Sequence, residues 1–338
     1  MKKMTMSKTS KQNFITYAMV IVAYVIFQTL SATGNLSSLM QGLLVPLCTY
    51  SILAVSLNLT VGVLGELSLG QAGFMCIGAF SSAFFTACMK DTITNDLLRF
   101  ILAFIVAAVC AGICGILIGI PVLRLKGDYL AIVTLAFGEI IMNIINALYV
   151  GRDENGFHFS MKDSMSLNMS DSGKIIIKGA QGITGTARQS TFTIGIILLL
   201  LTLVVVLNLM NSRSGRAIMS IRDNRIAAES VGIDITKYKI MAFAISASLA
   251  GLAGCLYAHN LSSLTALPKN FGYNMSIMIL VYVVLGGMAN MRGSVIAAVL
   301  LTMIPELLRQ IGEYRMLIYA VIMIVMMIFN IITIMMTA

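Results

Sequence analysis

Long apolar runs separated by short polar segments dominate the pattern of the chain. A helix that crosses the hydrocarbon core of a bilayer needs about 20 predominantly apolar residues. Ten runs of this kind predict membrane-spanning helices over residues 14–30, 43–61, 67–89, 97–123, 130–150, 192–210, 240–258, 275–288, 294–311 and 317–336. The predicted fold class is an all-α integral membrane protein, a polytopic helical bundle of about ten transmembrane helices in one domain over residues 1–338.

The N-terminal segment has two interpretations. Lysines precede the apolar run 14–30, which is also how a secretory signal peptide begins. The run is longer than the usual h-region of about 7 to 15 residues, and no A-x-A cleavage pattern follows it, which favours a retained first helix. An even number of spans then places both termini in the cytoplasm.

Two short segments, 65–71 and 285–293, combine glycines with polar residues inside apolar surroundings. Such glycines allow close packing of membrane helices. Broken helices in transporters also present backbone groups near the midplane, often in both halves of the protein. On this second interpretation the candidate pathway residues of the first segment are Gly65, Glu66, Ser68, Gly70 and Gln71. The spans around residues 62–73 are alternatively one broken helix plus a re-entrant piece.

Glu139 lies near the middle of the predicted span 130–150, with Asn143 one helical turn later on the same face. A carboxylate costs several kcal/mol at the centre of a membrane helix unless it has a partner or a water-filled cavity. Two interpretations stay open: a polar stripe that lines a translocation pathway, or a hydrogen-bond clamp between helices. Both require Glu139 to face protein rather than lipid.

The composition narrows the class of protein. Hydrophobic residues make up 58% of the chain and charged residues 11%, whereas soluble domains carry about 25% charged residues. The six cysteines lie in apolar stretches and the chain has two histidines, so neither a disulfide framework nor a zinc site is expected. The sequence contains no phosphate-binding loop and no hydrolase motif, so we expect no cofactor and no enzyme activity. Any uphill transport must draw on an ion gradient or on another subunit.

The net charge of +9 favours basic cytoplasmic loops and anionic lipid over nucleic acid. The polar segment 151–190 is predicted to lie outside the cytoplasm, as a solvated connector or as a docking surface. The segment 211–239 is predicted to be cytoplasmic and to contain one short surface helix over residues 215–231 that Gly232 ends. That helix either rests on anionic lipid or inserts into a soluble partner.

Several motifs resemble those of known permeases. Residues 215–218 (GRAI) and 227–233 (AAESVGI) resemble the EAA-type loop of ABC importer permeases, although Ile226 stands where the fuller motif is acidic. Residues 123–135 (LRLKGDYLAIVTL) and 137–141 (FGEII) resemble the signature of LivM-type branched-chain amino acid permeases. So do residues 57–59 (LNL), 65–72 (GELSLGQA) and 182–185 (GITG), and the resemblance runs over residues 43–308.

The resemblance implies a type II-like ABC importer permease whose surface helix is the coupling helix that enters an ATPase cleft. It adds Asn58 to the candidate pathway residues. The coupling residues that it implies are Arg216, Arg222, Asp223, Arg225, Ala227, Ala228, Glu229 and Gly232.

The implied function is import of leucine, isoleucine and valine across the cytoplasmic membrane of a prokaryote. The implied partners are a homologous LivH-like permease, two cytoplasmic ATPases (LivG/LivF-like), an extracytoplasmic solute-binding protein and membrane lipid. Urea and short-amide importers use similar permeases and are the alternative. An ion-coupled secondary transporter is a further class, for which Glu139, Glu66 and Glu306 are the candidate ion sites.

Overall fold

The structure, a computed structural model, describes residues 8–34, 37–90, 92–125, 127–153, 156–167, 173–308 and 314–337. Its helices are α1 Lys8–Ala32, α2 Ser38–Asn58, α3 Gln71–Cys88, α4 Asp96–Val122, α5 Asp128–Ala147, α6 Phe192–Asn211, α7 Arg213–Asp223, α8 Arg225–Ser230, α9 Ile235–Ala258, α10 Pro268–Phe271, α11 Tyr273–Gly286, α12 Met291–Leu307 and α13 Arg315–Thr337. A helix occupies each of the ten predicted spans. Seven helices in the described ranges are long and apolar enough to cross a membrane, and α11 and α12 are shorter, with 14 and 17 residues.

Polar side chains at the helix starts explain several boundaries. The Asn95 side chain accepts hydrogen bonds from the first backbone N–H groups of α4, and Thr191, Asp234 and Asn290 do the same for α6, α9 and α12. A helix leaves its first four N–H groups without helical partners, so such residues define where it begins.

The core lies where α9 packs against α2, α3 and α4. Small residues permit the close approach, as membrane helices require. A Cβ atom on Gly254 would lie 2.1 Å from the Met75 carbonyl oxygen, and one on Gly115 would lie 2.6 Å from the Ala247 Cβ. The small-residue spacings of α4 and α9 therefore serve helix packing.

The segment 151–190 contributes to a small antiparallel sheet that the sequence analysis did not predict. Strand β1 (Tyr149–Asp153) lies between β2 (Gly156–Ser160) and β3 (Lys174–Lys178). Strand β4 (Ile183–Thr184) pairs with β5 (Ser263–Leu264). The described parts of this segment are thus folded against α3 and α5.

The segment 211–239 contains two short helices, so the prediction of one continuous helix over residues 215–231 is wrong. Asn224 separates α7 from α8 with an extended backbone (φ −154°, ψ 105°), and its side chain accepts a hydrogen bond from the Ala227 N–H. An asparagine side chain can bond to nearby backbone N–H groups in a non-helical conformation, which favours a helix cap over a continuous helix. Gly232 follows α8 with a left-handed backbone (φ +84°), and the Ile233 N–H donates to the Ala228 carbonyl, which is how a glycine ends a helix.

Candidate translocation pathway and coupling interface

The first glycine-rich segment interrupts the chain between α2 and α3. Residues Leu59–Leu64 form a π-helical turn, and Gly65 then takes a left-handed backbone (φ +79°) before a non-helical stretch to Gly70. A π-turn inside a helix is often found at functional sites. The prediction of a broken helix at this place is confirmed.

The second glycine-rich segment is also broken, between Gly286 and Met291. Ala289 has a positive φ of +63°, unlike the other described non-glycine residues. The Ala289 N–H donates to Asn58 Oδ1 at 2.8 Å, and Asn58 Nδ2 donates to Ser294 Oγ at 2.7 Å. A Cβ on Gly62 would lie 2.2 Å from the Ala289 nitrogen. The two broken segments are therefore packed together, with Asn58 as the bridge between them.

Three predicted pathway residues of the first segment, Ser68, Gly70 and Gln71, are buried. Gln71 Nε2 donates to Ser56 Oγ at 2.6 Å, and the buried Ser68 hydroxyl has no hydrogen-bond partner in the structure. A Cβ on Gly70 would lie 2.8 Å from the Thr134 carbonyl oxygen. The segment is thus anchored to α2 and α5.

Glu66 is paired with a lysine in the first turns of α9. The Lys239 ammonium donates to the Glu66 carboxylate, and the two side chains are 6% and 19% exposed. A buried charge is tolerated when an opposite charge and hydrogen bonds compensate it. This ion pair joins the break after α2 to the start of α9.

Arg222 makes a second connection between the surface helices and the break. Its Nη1 donates to the Gly62 carbonyl at 2.9 Å, and its Nε and Nη2 donate to Asp223 Oδ1 at 3.1 and 3.0 Å. The Arg222 side chain also covers Gly65, where a Cβ would lie 2.6 Å from Arg222 Cγ. Arg222 therefore contacts the break from α7, with its guanidinium engaged inside this chain.

The remaining predicted coupling residues divide into a buried and an exposed set. Ala228 is 3% exposed and packs with Ile221 and Ile235, which holds α8 against α7 and α9. Arg216 Nη1 donates to the Asn211 carbonyl at 3.0 Å. The exposed set is Arg216, Arg225, Ala227, Glu229 and Gly232.

Two large apolar side chains at this end of the bundle are also exposed. Ile226 is 81% and Val231 75% exposed on either end of α8. Large exposed apolar side chains that lie close together can mark an interaction site.

Glu139 contacts the start of α11. Its Oε1 accepts a hydrogen bond from the Tyr273 backbone N–H at 2.6 Å, where a helix N-terminus favours negative charge. Asn143 Nδ2 donates to the Glu139 carbonyl within α5, and the Asn143 side chain is exposed. Glu139 thus has the hydrogen-bond partner that a clamp between helices requires. Asn143 lies on the exposed face of α5.

Sequence reasoning missed three partners in these contacts. Lys239 directly precedes an apolar run, and a lysine in that position needs a counter-charge, which is a usable signal. The Gly62 carbonyl and the Tyr273 N–H are backbone groups and carry no side-chain signal. Lys126, part of the signature over residues 123–135, lies outside the described residues.

Comparisons with known proteins agree on one family. The family described as "Branched-chain amino acid transport system / permease component" matches residues 39–329. The chain is 33% identical over 290 residues to the "High-affinity branched-chain amino acid transport system permease protein LivM" of Salmonella typhimurium and to that of Escherichia coli, which covers 83% of this chain and 66% of each relative.

The match spans just under two thirds of the length of these curated relatives. A more distant similarity, 29% over 101 residues, is to the "Autoinducer 2 import system permease protein LsrC" of an Enterobacter species, over 30% of this chain and 29% of that protein. No solved structure matches the chain. The match over residues 39–329 shows that the chain belongs to the family of branched-chain amino acid transport system permease components.

Proposed function

We propose that this chain is the transmembrane permease subunit of an ABC importer that moves branched-chain amino acids across the cytoplasmic membrane. Family membership and the name of the LivM relatives support the substrate class. ATP is hydrolysed by partner subunits in this proposal. The observation that carries it is a pair of contacts with the break at residues 59–70, in which Arg222 connects α7 to the Gly62 carbonyl and Lys239 connects the start of α9 to Glu66.

The exposed surface of α8 is the docking element for an ATPase subunit. Ile226 and Val231 insert into the partner, and Arg225 and Glu229 pair with its charged rim. The coupling residues Arg216, Asp223, Ala227 and Gly232 belong to the same surface. When the ATPases close on ATP, α7 and α8 move together because Ala228, Ile221 and Ile235 pack as one cluster.

Movement of α7 reaches the membrane through two contacts. Arg222 pulls on the Gly62 carbonyl, and the Glu66 carboxylate follows Lys239 at the start of α9. Asn58 passes the displacement to the second break at Ala289 and Ser294. Since residues 65–70 and the residues between Gly286 and Met291 lie outside the α-helices, these are the places where the bundle changes shape at least cost.

The open face of α5 is the wall of the translocation pathway. Asn143 is exposed there and Glu139 is half-buried, and polar groups on a membrane helix are costly against lipid. This face is therefore turned toward a homologous LivH-like permease, with the substrate passing between the two subunits. The broken segment with Gly65, Ser68, Gly70 and Gln71 supports this wall from behind.

The remaining partners are two LivG/LivF-like ATPases and an extracytoplasmic solute-binding protein, which docks on the side of the β-sheet. Both termini lie in the cytoplasm. The binding protein selects the substrate in this arrangement, so an importer of urea or short amides is the alternative for the same permease architecture.

Uptake measurements in membrane vesicles test the proposal. Vesicles that hold this chain, its partner subunits and the binding protein are supplied with ATP and labelled leucine, with urea and acetamide as competitors. We expect uptake that an inactivating substitution in the ATPases abolishes and that a proton or sodium ionophore leaves unchanged. Loss of uptake with the ionophore alone would instead identify an ion-coupled transporter, and competition by urea would change the substrate class.

A further inference from the structure

A crevice runs between α1, α6 and α12 and has two chemically different parts. A cavity of about 470 Å³ lies where α12 begins and includes Asn13, Asn211 and Arg292 among its lining residues. A second cavity of about 190 Å³ lies further along the same helices. Ile296 lines both cavities, so they meet on this residue of α12.

The wider cavity has a mixed polar and apolar lining at the end of the bundle where α12 starts. Arg292 Nε donates to Thr16 Oγ1 at 2.6 Å, which holds its guanidinium between α1 and α12. The amide side chains of Asn13, Asn211 and Asn290 line the same space. The described lining thus combines one permanent cation with several neutral hydrogen-bonding groups.

The narrower cavity is apolar except for Ser51. Val20, Ala23 and Phe27 of α1 line it at helical spacing, opposite Val299 of α12 and Leu199 of α6. An apolar cavity of about 150 Å³ is large enough for benzene, so this space accommodates a stretch of hydrocarbon chain.

We propose that this crevice binds one anionic phospholipid, with its phosphate at Arg292 and an acyl chain along α1. Arg is the residue best suited to a phosphate because its N–H groups match the phosphate oxygens. Thr16 and Phe27 are eleven residues apart on α1, which corresponds to about 16 Å at 1.5 Å per residue. Half of a hydrocarbon core of about 30 Å is about 15 Å, so an acyl chain anchored at Arg292 reaches the membrane centre beside Phe27.

The proposed lipid explains how α1 is attached. Large apolar side chains such as Phe14, Val22 and Ile26 are exposed on its outer side, and α6 is the main element that it packs against. An ordered acyl chain fills the space that remains between α1 and α12. The lipid therefore acts as a structural ligand that fixes α1 to the bundle.

Native mass spectrometry of the purified full-length chain in detergent tests the proposal. The probes are phosphatidylglycerol and phosphatidylcholine with the same acyl chains, and inorganic phosphate. We expect one phosphatidylglycerol to bind at least tenfold more tightly than phosphatidylcholine and to raise the melting temperature. Inorganic phosphate should not raise it, because most of the contact is with the acyl chain. Stabilisation by phosphate alone would overturn the assignment to a lipid.

Two variants distinguish binding of the lipid headgroup from binding of its acyl chain. Arg292→Gln should remove the preference for phosphatidylglycerol, whereas Ala23→Trp, which fills the apolar cavity, should abolish binding of both lipids. Val109→Trp on the exposed side of α4 is the matched control and should bind as the wild type does. Wild-type lipid binding by both Arg292→Gln and Ala23→Trp would contradict the proposal. A bound lipid that leaves when the second permease joins the complex would also contradict it, since the crevice would then be a subunit interface.

Discussion

The Lys239 ammonium forms an ion pair with the Glu66 carboxylate, and the two residues are 173 positions apart in the chain. One belongs to the first turns of α9 and the other to the non-helical stretch before α3. The pair fixes the break between α2 and α3 relative to the start of α9. It is one of the two contacts, with that of Arg222 on the Gly62 carbonyl, on which the proposed transmission of movement depends.

Removing one partner of this ion pair should destabilise the protein strongly. Glu66→Gln and Lys239→Met should each lower the free energy of unfolding by about 3 to 5 kcal/mol, because each leaves an uncompensated buried charge. The double variant should lose less than the sum of the two. Denaturation of the detergent-solubilised chain measures these effects, and Asp223→Asn is the control, since its ion pair with Arg222 is more exposed and contributes about 0 to 1 kcal/mol. Additive effects of the two single variants would show that the ion pair does not couple the two segments.

Glu139 should tolerate Gln better than Leu. Gln retains an oxygen that accepts from the Tyr273 N–H, whereas Leu leaves that N–H without its partner at a cost of about 1 to 3 kcal/mol. Thermal unfolding of the two variants measures the difference. Equal stability of Glu139→Leu and wild type would show that the hydrogen bond from Tyr273 does not hold α5 and α11 together.

Asn143→Leu distinguishes a pathway role from a structural one on the same face of α5. The Asn143 amide donates within its own helix, so its loss should change stability by less than about 1 kcal/mol. Uptake of leucine should nevertheless fall if this face lines the pathway. Wild-type uptake by a normally abundant Asn143→Leu variant would exclude α5 as a pathway wall.

Gly232→Asp should abolish uptake while the protein stays in the membrane. A Cβ at residue 232 meets nothing within 4 Å, but the φ of +84° disfavours most other L-residues. A carboxylate also opposes the helix macrodipole at the end of α8. Gly232→Asn, which tolerates a left-handed backbone and carries no charge, should keep much of the uptake. Gly185→Asp, at a similar φ of +80° in the outer segment, controls for backbone strain alone. Wild-type uptake by Gly232→Asp would show that α8 is not the coupling element.

The proposed orientation can be tested by labelling single cysteines in a background that lacks the six native ones. Met165→Cys and Ser230→Cys place the thiol at exposed positions of the outer segment and of α8. An impermeant maleimide should label residue 165 from outside intact cells and residue 230 only after the membrane is opened. Labelling of both from the same side would refute the orientation of the loops.

The sequence predicts much of the helical framework because apolar length alone determines where a chain can span a bilayer. The glycine and polar density of residues 65–71 and 285–293 also located both breaks. The contact between the breaks was not predictable, since it depends on Asn58 and Ala289 meeting across 231 positions.

Other predictions were wrong or incomplete because they depended on local contacts. The residues around Asn224 include no proline or glycine, so the sequence alone allows a continuous helix there. In the structure Asn224 caps α8 with an extended backbone, and Ile221 of α7 packs with Ala228 of α8 across this break. Glu139 could be identified as a residue in need of a partner, yet the partner is the backbone N–H of Tyr273. Backbone partners leave no trace in side-chain patterns.

The most direct measurement is the number of leucine molecules transported per ATP hydrolysed, in proteoliposomes that hold the assembled complex with loaded binding protein. Arg222→Met removes the hydrogen bond to the Gly62 carbonyl, and Arg213→Met, at an exposed position of α7, is the matched control. If the surface helices drive the membrane break through Arg222, Arg222→Met should keep ATP hydrolysis and normal abundance while the transport ratio falls at least tenfold, and Arg213→Met should match wild type. A wild-type transport ratio in Arg222→Met would contradict the account.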